Sequence, residues 1–599
     1  MQIVSDKWKS AHRQQMLNES FVDISIGVAD PDAIVDASAT DNGACYLANT
    51  SDVVRGLDRT VPNYATLEEN LWLLDGNNDI VPDSEWKDSG FIGDTLSNKD
   101  CTFDVNPLII ISFSQVHTHV IPGVTVTWSE AFGEYAEQFR VTAYNGDTEV
   151  ASSLVKNNTA VHSEVELDIA NYNRITIEVI KWCLPYHRVR ISDIFAGLKK
   201  IYTKKDIIEF SHEQEVDPIC ATTPTLKIGF SLDNSDNKFD PNNTTGFSKY
   251  LMERQKVEVR YGQKIDNKTV EYIAAGVTYL SEWDSPQNGL KATFVSRDLL
   301  EFMGKEYLKG LYNPTGVSLY DLAEDVLSEA NLPKNTQGEV MWRIDDSLKS
   351  IYTTAPLPIA SCAVCLQYIA QAARCVLYSD RLGVLHIEPI SKEQKDYALT
   401  TFNLFTRPEI SLRKPLSEVS TNVYNHFVDE IGKELFNGSV VVNGTEDVII
   451  TYSSTATNVS ARVSGGTLVS ASYYSNACYL KITGTGVVQI TVSGDCLTTS
   501  NAEYKLVVSN DGESQTVDNP LISSTEVAMA VGNWVKENLT ARKVINVGGW
   551  RSDTRLDATD IITSDNKYGT DVVRVTNVKY TYSGAFRGSL EGVVLEGVD

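Results

Sequence analysis

Three groups of residues in this sequence have types and spacings that could do chemistry. Cys362 and Cys365 form a CxxC pair with Cys375 close behind, and thiolates so placed can cycle as a disulfide or hold zinc. All three fall among Ala, Val, Leu and Ile in one expected helix, and no second ligand pair is spaced to match. Buried, reduced thiols are therefore the favoured reading. His117 and His119 stand two apart in an expected strand, which would turn both imidazoles toward one face and a shared metal. No third ligand stands at a telling spacing, so no metal site is assigned. Residues 233–240, DNSDNKFD, have the acidic rhythm of a calcium loop. Lys238 takes the place of the turn glycine and the bidentate glutamate is missing, so a polar turn is expected.

Aromatic residues offer a different chemistry. Trp72, Trp128, Tyr135, Tyr144, Trp182, Tyr186 and His187 all fall within residues 64–200, and aromatic faces can stack on sugar rings. The candidate carbohydrate-binding set is Trp72, Trp128, Tyr135, Trp182, Tyr186 and His187. The competing reading places most of them in a core or an interface, because aromatics supply the largest burial per residue. No GxSxG elbow, P-loop, HExxH or dinucleotide fingerprint occurs. With 79 Asp and Glu, pairs of carboxylates are unavoidable and single out no acid and base. No catalytic residue, metal or cofactor is assigned, and the chain is expected not to be an enzyme.

The elements that must position these residues are mostly strands. Residues 1–63 read as an N-terminal arm with a short helix followed by FVDISIGVAD, apolar at alternate positions. Residues 64–200 contain LIIISF, VTVTW, FRVTAY, EVELDI and ITIEVIKW between turn-rich pieces, the spacing of a β-sandwich. Residues 201–300 form a second β-rich domain. Residues 301–433 are mixed: Ser318 caps a helix that Pro333 ends, and a helix over residues 359–377 precedes a hairpin turning at Asp380 to Gly383. Residues 434–515 shift to Ser, Thr, Gly, Val and Asn in short strands, an immunoglobulin-like insertion. The mixed domain resumes over residues 516–599 with a helix at 524–539 and closing strands. The fold class is mainly β and multidomain.

Length and composition agree. The 599 residues suggest about three to five domains, and 42% hydrophobic with 22% charged residues is ordinary for a folded chain. A formal net charge of -27 repels a phosphate backbone, so nucleic acid is not an expected partner. No apolar run reaches the 18 or so residues of a membrane span, and the start lacks the apolar core of a signal peptide. The nine cysteines, scattered and odd in number, give no disulfide framework.

The stretch DIIEFSHEQEVDPICATTPTLKIGFSLDNSDNKFDPNN, followed by GFSKYLMERQKVEVRYG, is similar to the first barrel of the baseplate or tail-tip hub proteins of tailed bacteriophages. YSDRLGVLHIEPI and the ending YSGAFRGSLEGVVL resemble later hub segments. Residues from YATLEENLWLLDG to YHRVRISDIFAG resemble a discoidin-like, galactose-binding-type sandwich, and the segment containing ITGTGVVQITVSG resembles bacterial immunoglobulin-like group 2 domains. The resemblance implies a structural virion protein, usually a homotrimer, that caps the tail tube. Implied partners are the distal tail protein, the tube, tip or fibre proteins, and a host glycan. It implies a place in the tail of a virion assembled in the bacterial cytoplasm. A carbohydrate-binding surface adhesin is the alternative.

Overall fold

In the computed structural model the chain is mainly β, 55% strand and 12% helix, distributed over many sheets. The structure describes all residues except 15–18, 55, 57–65, 67, 69–88, 131, 244–245, 266–269, 287–288, 336–337 and 596–599.

A single 13-stranded sheet runs through the molecule. Its first seven strands are, in spatial order, Gly197–Tyr202, Ser20–Ala29, Lys256–Lys264, Val270–Asp284, Lys291–Arg297, Thr225–Asp233 and Ile207–Glu215. The two end strands of this set are consecutive in sequence and joined by a short turn in which the Asp206 amide donates to the Thr203 carbonyl. The sheet must therefore curl until its ends meet, which makes a barrel. Alternate residues fill it: Val22, Ile24, Ile26, Ile228, Phe230, Val257, Tyr261 and Phe294 are buried in one core. The strand Ser20–Ala29, expected in an arm, is an interior strand of this barrel, with Ile24 paired to Tyr202 on one side and Val259 on the other. Ser38–Asp41 of the same expected arm pairs with Leu108–His117 in the front sandwich. The two strands expected in one arm thus belong to two different sheets, because each pairs with strands distant in sequence whose edges it completes.

The same sheet continues past Ile207–Glu215 into Gly569–Tyr582, with Phe210 opposite Tyr582 and His212 opposite Tyr580. It then runs through Phe586–Val594, Lys543–Trp550 and Glu409–Leu412, while Ile561–Asn566 pairs with Gly569–Tyr582 and with Gln394–Leu399. This second curled half encloses its own core of Ile545, Val547, Trp550, Ile562, Val573, Tyr580 and Leu590.

The front sandwich packs a five-stranded sheet, containing Leu108–His117, Ala136–Asn145 and Tyr172–Trp182, against a three-stranded one of Asp193–Phe195, Ile121–Thr127 and His162–Ile169. The mixed domain is built on three serine-capped helices. Ser318, Ser361 and Ser524 accept from Asp321, Val364 and Val527 amides, each satisfying a donor that has no intrahelical partner. Their apolar faces meet in one core with Val419, Val423, Leu521 and Ile522.

The insertion is bounded differently from residues 434–515. The strands Leu416–Thr451 and Ala477–Val507 pair continuously from Glu418–Val507 to Thr451–Ala477. Ala456 lies opposite Cys496, yet its amide also donates to the Ser475 carbonyl at 2.8 Å. Ala477 and Cys496, which a straight strand would hold roughly 65 Å apart, therefore lie at the same end. The hairpin folds double, and its two halves enclose a core of Leu435, Val442, Leu480, Ile482, Val488, Ile490 and Val492. The return segment beyond Cys496 belongs to the mixed domain, since Tyr504 and Leu506 pack on the helices.

Candidate functional site

The front sandwich holds the aromatic candidates, and their placement follows from strand alternation. Trp128 and Trp182 are fully buried and meet edge to face, with ring centroids 5.9 Å apart. Trp128 Nε1 donates to Ser163 Oγ at 2.8 Å and Trp182 Nε1 to Glu134 Oε2 at 3.0 Å. Their faces are spent inside the core and offer nothing to a sugar, which corrects the expectation for these two. Tyr135 is partly buried against the same core, and Tyr186, at 42% exposure, is the open one of the set. Trp72 lies outside the described residues.

His187 is buried and belongs to a polar cluster that the sequence did not reveal. Its Nδ1 is 2.8 Å from Glu134 Oε1 and 3.8 Å from Glu68 Oε2. Ligand atoms of Glu68, Glu134 and His187 all lie within 4.8 Å of one another, a spacing that could hold a metal. Arg190 answers that possibility. Its guanidinium sits 2.6 Å from Glu68 Oε1 and donates to Oε2 at 2.8 Å, while Thr66 Oγ1 and the Arg188 amide also donate to Glu68. Burial alone would raise the Glu68 carboxyl, but these donors hold it below its ordinary value. Arg190 already neutralises Glu68, and Glu134 is engaged by the Trp182 indole and the His187 ring, so the cluster fits a packing network better than a cation site.

The other candidates separate. His117, the last residue of its strand, is buried with Nε2 3.0 Å from Asp36 and Nδ1 3.4 Å from Asp30; His119 lies beyond the strand and is exposed. The strand ends before the expected shared face can form. In residues 233–240, Asp233 accepts from Ser235, Asn234 from the Phe239 amide and Asp236 from the Lys238 amide, so the loop's side chains cap its own backbone. Cys362, Cys365 and Cys375 are buried free thiols, and burial pushes Cys365 and Cys375 up to about 12, which leaves them unreactive.

A dense polar network lies at the joint of the domains. The hairpin of Val376–Ser379 and Leu385–Glu388 projects Arg381 from its turn into the seam between the two halves of the long sheet. Arg381 is 1% exposed. Its Nε donates to Asp557 Oδ1 at 2.6 Å, NH1 to the Thr554 carbonyl at 2.7 Å and NH2 to the Leu556 carbonyl at 2.7 Å. NH1 also reaches the Ala274 carbonyl at 3.2 Å in the first barrel. One guanidinium thus ties the mixed domain to both halves of the long sheet. Burial would raise Asp557, and Arg381 holds it down. Beside it His212 is enclosed, with Nδ1 2.7 Å from Tyr261 Oη, and burial pushes it down to about 3.

The sandwich meets the first barrel through a looser charged bridge. Glu130 Oε1 lies 3.1 Å from Arg260 NH2 and 3.0 Å from His162 Nε2. Burial opposes the charge of Glu130, yet His162 and Arg260 bring it down to about 2.

No protein-family model matches the chain, and no curated protein does. Solved structures do match in part. The 43 kDa tail protein of prophage MuSo2 from Shewanella oneidensis is 11% identical, with 67% of this chain and 97% of that one covered and a TM-score of 0.38. A tail protein from Neisseria meningitidis is 10% identical over 67% and 95% of the chains, with a TM-score of 0.37. A prophage tail protein from Listeria monocytogenes is 9% identical over 67% and 93%, with a TM-score of 0.34.

Proposed function

We propose that this chain is a structural protein of a phage-type tail, a baseplate or tail-tip hub that assembles as a homotrimer and carries no catalytic step. The observation that carries the reading is the shared sheet. The segments near residues 206–262, similar to a first hub barrel, and 582–595, similar to a later hub segment, lie far apart in the chain yet belong to one sheet joined at Phe210–Tyr582 and His212–Tyr580. The third segment of the resemblance, the 378–390 hairpin, supplies the arginine that pins that joint. A barrel joined in this way to a second curled half suits a ring subunit, where each copy must hold two neighbours at fixed angles. The front sandwich and the insertion, each with its own core, would face distal tail, tip or host components.

The test is assembly of the full chain. Analytical ultracentrifugation should give the mass of three chains, and co-expression with the distal tail protein of the same particle should yield a stable complex. A monomer at the highest soluble concentration that also ignores tail proteins would overturn the proposal. So would release of product from host wall material that a single carboxylate substitution abolishes.

A further inference from the structure

We propose that the cleft between the N-terminal helix and the second half of the long sheet binds a multivalent oxyanion, phosphate or carboxylate in chemistry. This goes beyond the tail reading and does not depend on it. The cleft has a volume of about 510 Å³ and is walled by the helix Asp6–His12, the strand Gln394–Leu399 and the loop around residues 551–555. Its lining holds five fixed cations, Lys9, Arg13, Lys395, Arg551 and Arg555, against two carboxylates, Asp396 and Asp553. That is the reverse of the whole chain, where 79 acids outnumber 52 bases.

The cations are arranged for use. Arg555 and Asp553 neutralise each other through a two-pronged pair, Nε to Oδ1 at 2.9 Å and NH2 to Oδ2 at 2.5 Å. Lys9 and Lys395 pair with Asp6 and Glu393, which are 96% and 75% exposed and lie outside the lining; such pairs hold a cation weakly. Arg13, exposed at the end of the helix, has no carboxylate within ion-pair distance among the described residues. Arg551 lies over the Phe402 ring, 5.1 Å from its centroid, and spends one arm on the Gln14 carbonyl. An arginine stacked in this way is oriented with the rest of its planar fork available for oxygen atoms.

His12 provides the second observation. Its Nε2 is shut off from solvent and has no hydrogen-bond partner, although the residue lines the cleft. The ring stands enclosed at the wall of the cleft among its fixed cations, so an anion bound in the cleft acts on it through its charge and not through direct contact with the sealed nitrogen. The imidazole also feels the cationic field: burial lowers its pKa, Asp553 and the Arg551 backbone oppose this, and the Arg555 and Arg551 guanidinium groups lower it further. Lys9 and Arg13 on the same helix, with Lys395 and Asp396 across the cleft, complete its charged surroundings.

The full-length protein should be titrated calorimetrically with sodium pyrophosphate and, separately, with citrate, in low-chloride buffer. Saturable binding is expected, weakened about tenfold or more by R13A and by R551A, each of which removes charge-assisted hydrogen bonds. Tighter binding of pyrophosphate assigns the natural ligand to phosphate chemistry, and tighter binding of citrate to carboxylate chemistry. With ¹³C-labelled histidine, the resonance lost in H12Q should titrate at higher pH in the presence of the bound anion. Arg13 is exposed, so R13A keeps the fold even if R551A does not, and R13E should abolish binding. Absence of saturable binding of either anion at about 10 mM, or binding that R13A and R13E leave unchanged, would overturn the proposal. Lower melting temperatures with unaltered binding would do the same, since they would show that these cations only serve the carbonyls at the helix end.

Discussion

The insertion and the Arg381 hairpin both leave the mixed domain, and they do so in opposite ways. The insertion departs through two paired strands, encloses its own core, and touches its host again where Ser475 and Asn476 meet Lys309, Tyr312 and Leu357. The hairpin has no core of its own. It is four residues on either side of a turn, and its worth lies in one buried side chain that engages segments more than 100 residues away in both directions. Autonomy in a β module comes from closing its own core, whereas a joint is made by side chains whose partners belong to other domains.

The largest expected effect breaks the first half of that comparison. Removing residues 434–510 takes away Leu497 to Val507, the strand that pairs with Glu418–Val428 and brings Tyr504 and Leu506 onto the helices. The mixed domain should lose its cooperative transition altogether, followed by helical circular dichroism on heating. A cooperative transition that survives would mean that this return strand is dispensable.

Next in size is Arg381→Ala. It strips from the half-buried Asp557 its guanidinium partner, leaving the Met1 ammonium and Gln2, and removes one donor each from the Thr554, Leu556 and Ala274 carbonyls. Losing one side of a buried pair costs about 3–5 kcal/mol, which denaturant unfolding of the barrel transition would register. Arg381→Lys keeps the charge but cannot reach three directions with one planar group, so it should recover only part of the loss. Equal stability of wild type and R381A would show that the seam is held by its strand pairing alone.

A smaller effect concerns the base of the same hairpin. His386 stacks on Tyr378 with ring planes 9° apart and lies 3.0 Å from Asp380 Oδ2. Burial opposes its charge, yet Asp380 and Glu388 raise it to about 9. A histidine whose folded pKa exceeds its unfolded value contributes stability that is complete below about pH 6.5 and is lost as pH rises through about 9. The stability difference between wild type and His386→Gln should therefore be on the order of 2 kcal/mol near pH 6 and shrink toward zero by about pH 10. A difference independent of pH would assign the effect to packing on Tyr378.

These joints also mark the limit of what the sequence discloses. Local signals were sufficient for the helices: Ser318 caps Leu319–Ala330, and the chain turns left-handed at Asn331 before Pro333. The helix expected over residues 359–377 is shorter, Cys362–Ala372, because Arg374 takes a positive φ of 61° and the chain enters a strand at Val376. Alternation disclosed the strand Ser20–Ala29 but not its neighbours, since a strand's partners are set by distant edges. The same holds for Arg381, an ordinary turn residue by its surroundings in sequence, and for Glu68, Glu134, His187 and Arg190, whose spacing carries no pattern. Trp128 and Trp182 misled in the other direction: aromatic content near loops suggested a sugar face, and burial claimed both rings.

The smallest expected effect sharpens the comparison from the side of the insertion. Lys433 and Gly494 face each other in the strand register, so residues 434–493 can be removed and the cut ends joined by a two-residue Asn-Gly turn without displacing either stem strand. This deletion takes out the whole core of the inserted module except Cys496 and leaves the strands that pack on the helices. What the mixed domain loses is a few contacts from Ser475 and Asn476, among them the bonds to the Tyr312 amide and the Leu357 carbonyl, and water can replace most of each. The cost should be about 1 kcal/mol or less, a shift of about 2–4 °C at most in the melting of the remaining domains. Ultracentrifugation should give the same number of subunits as the intact chain. Loss of cooperative melting in this shorter deletion would show that the folded-over hairpin is a structural part of the mixed domain and that its separate core confers no independence.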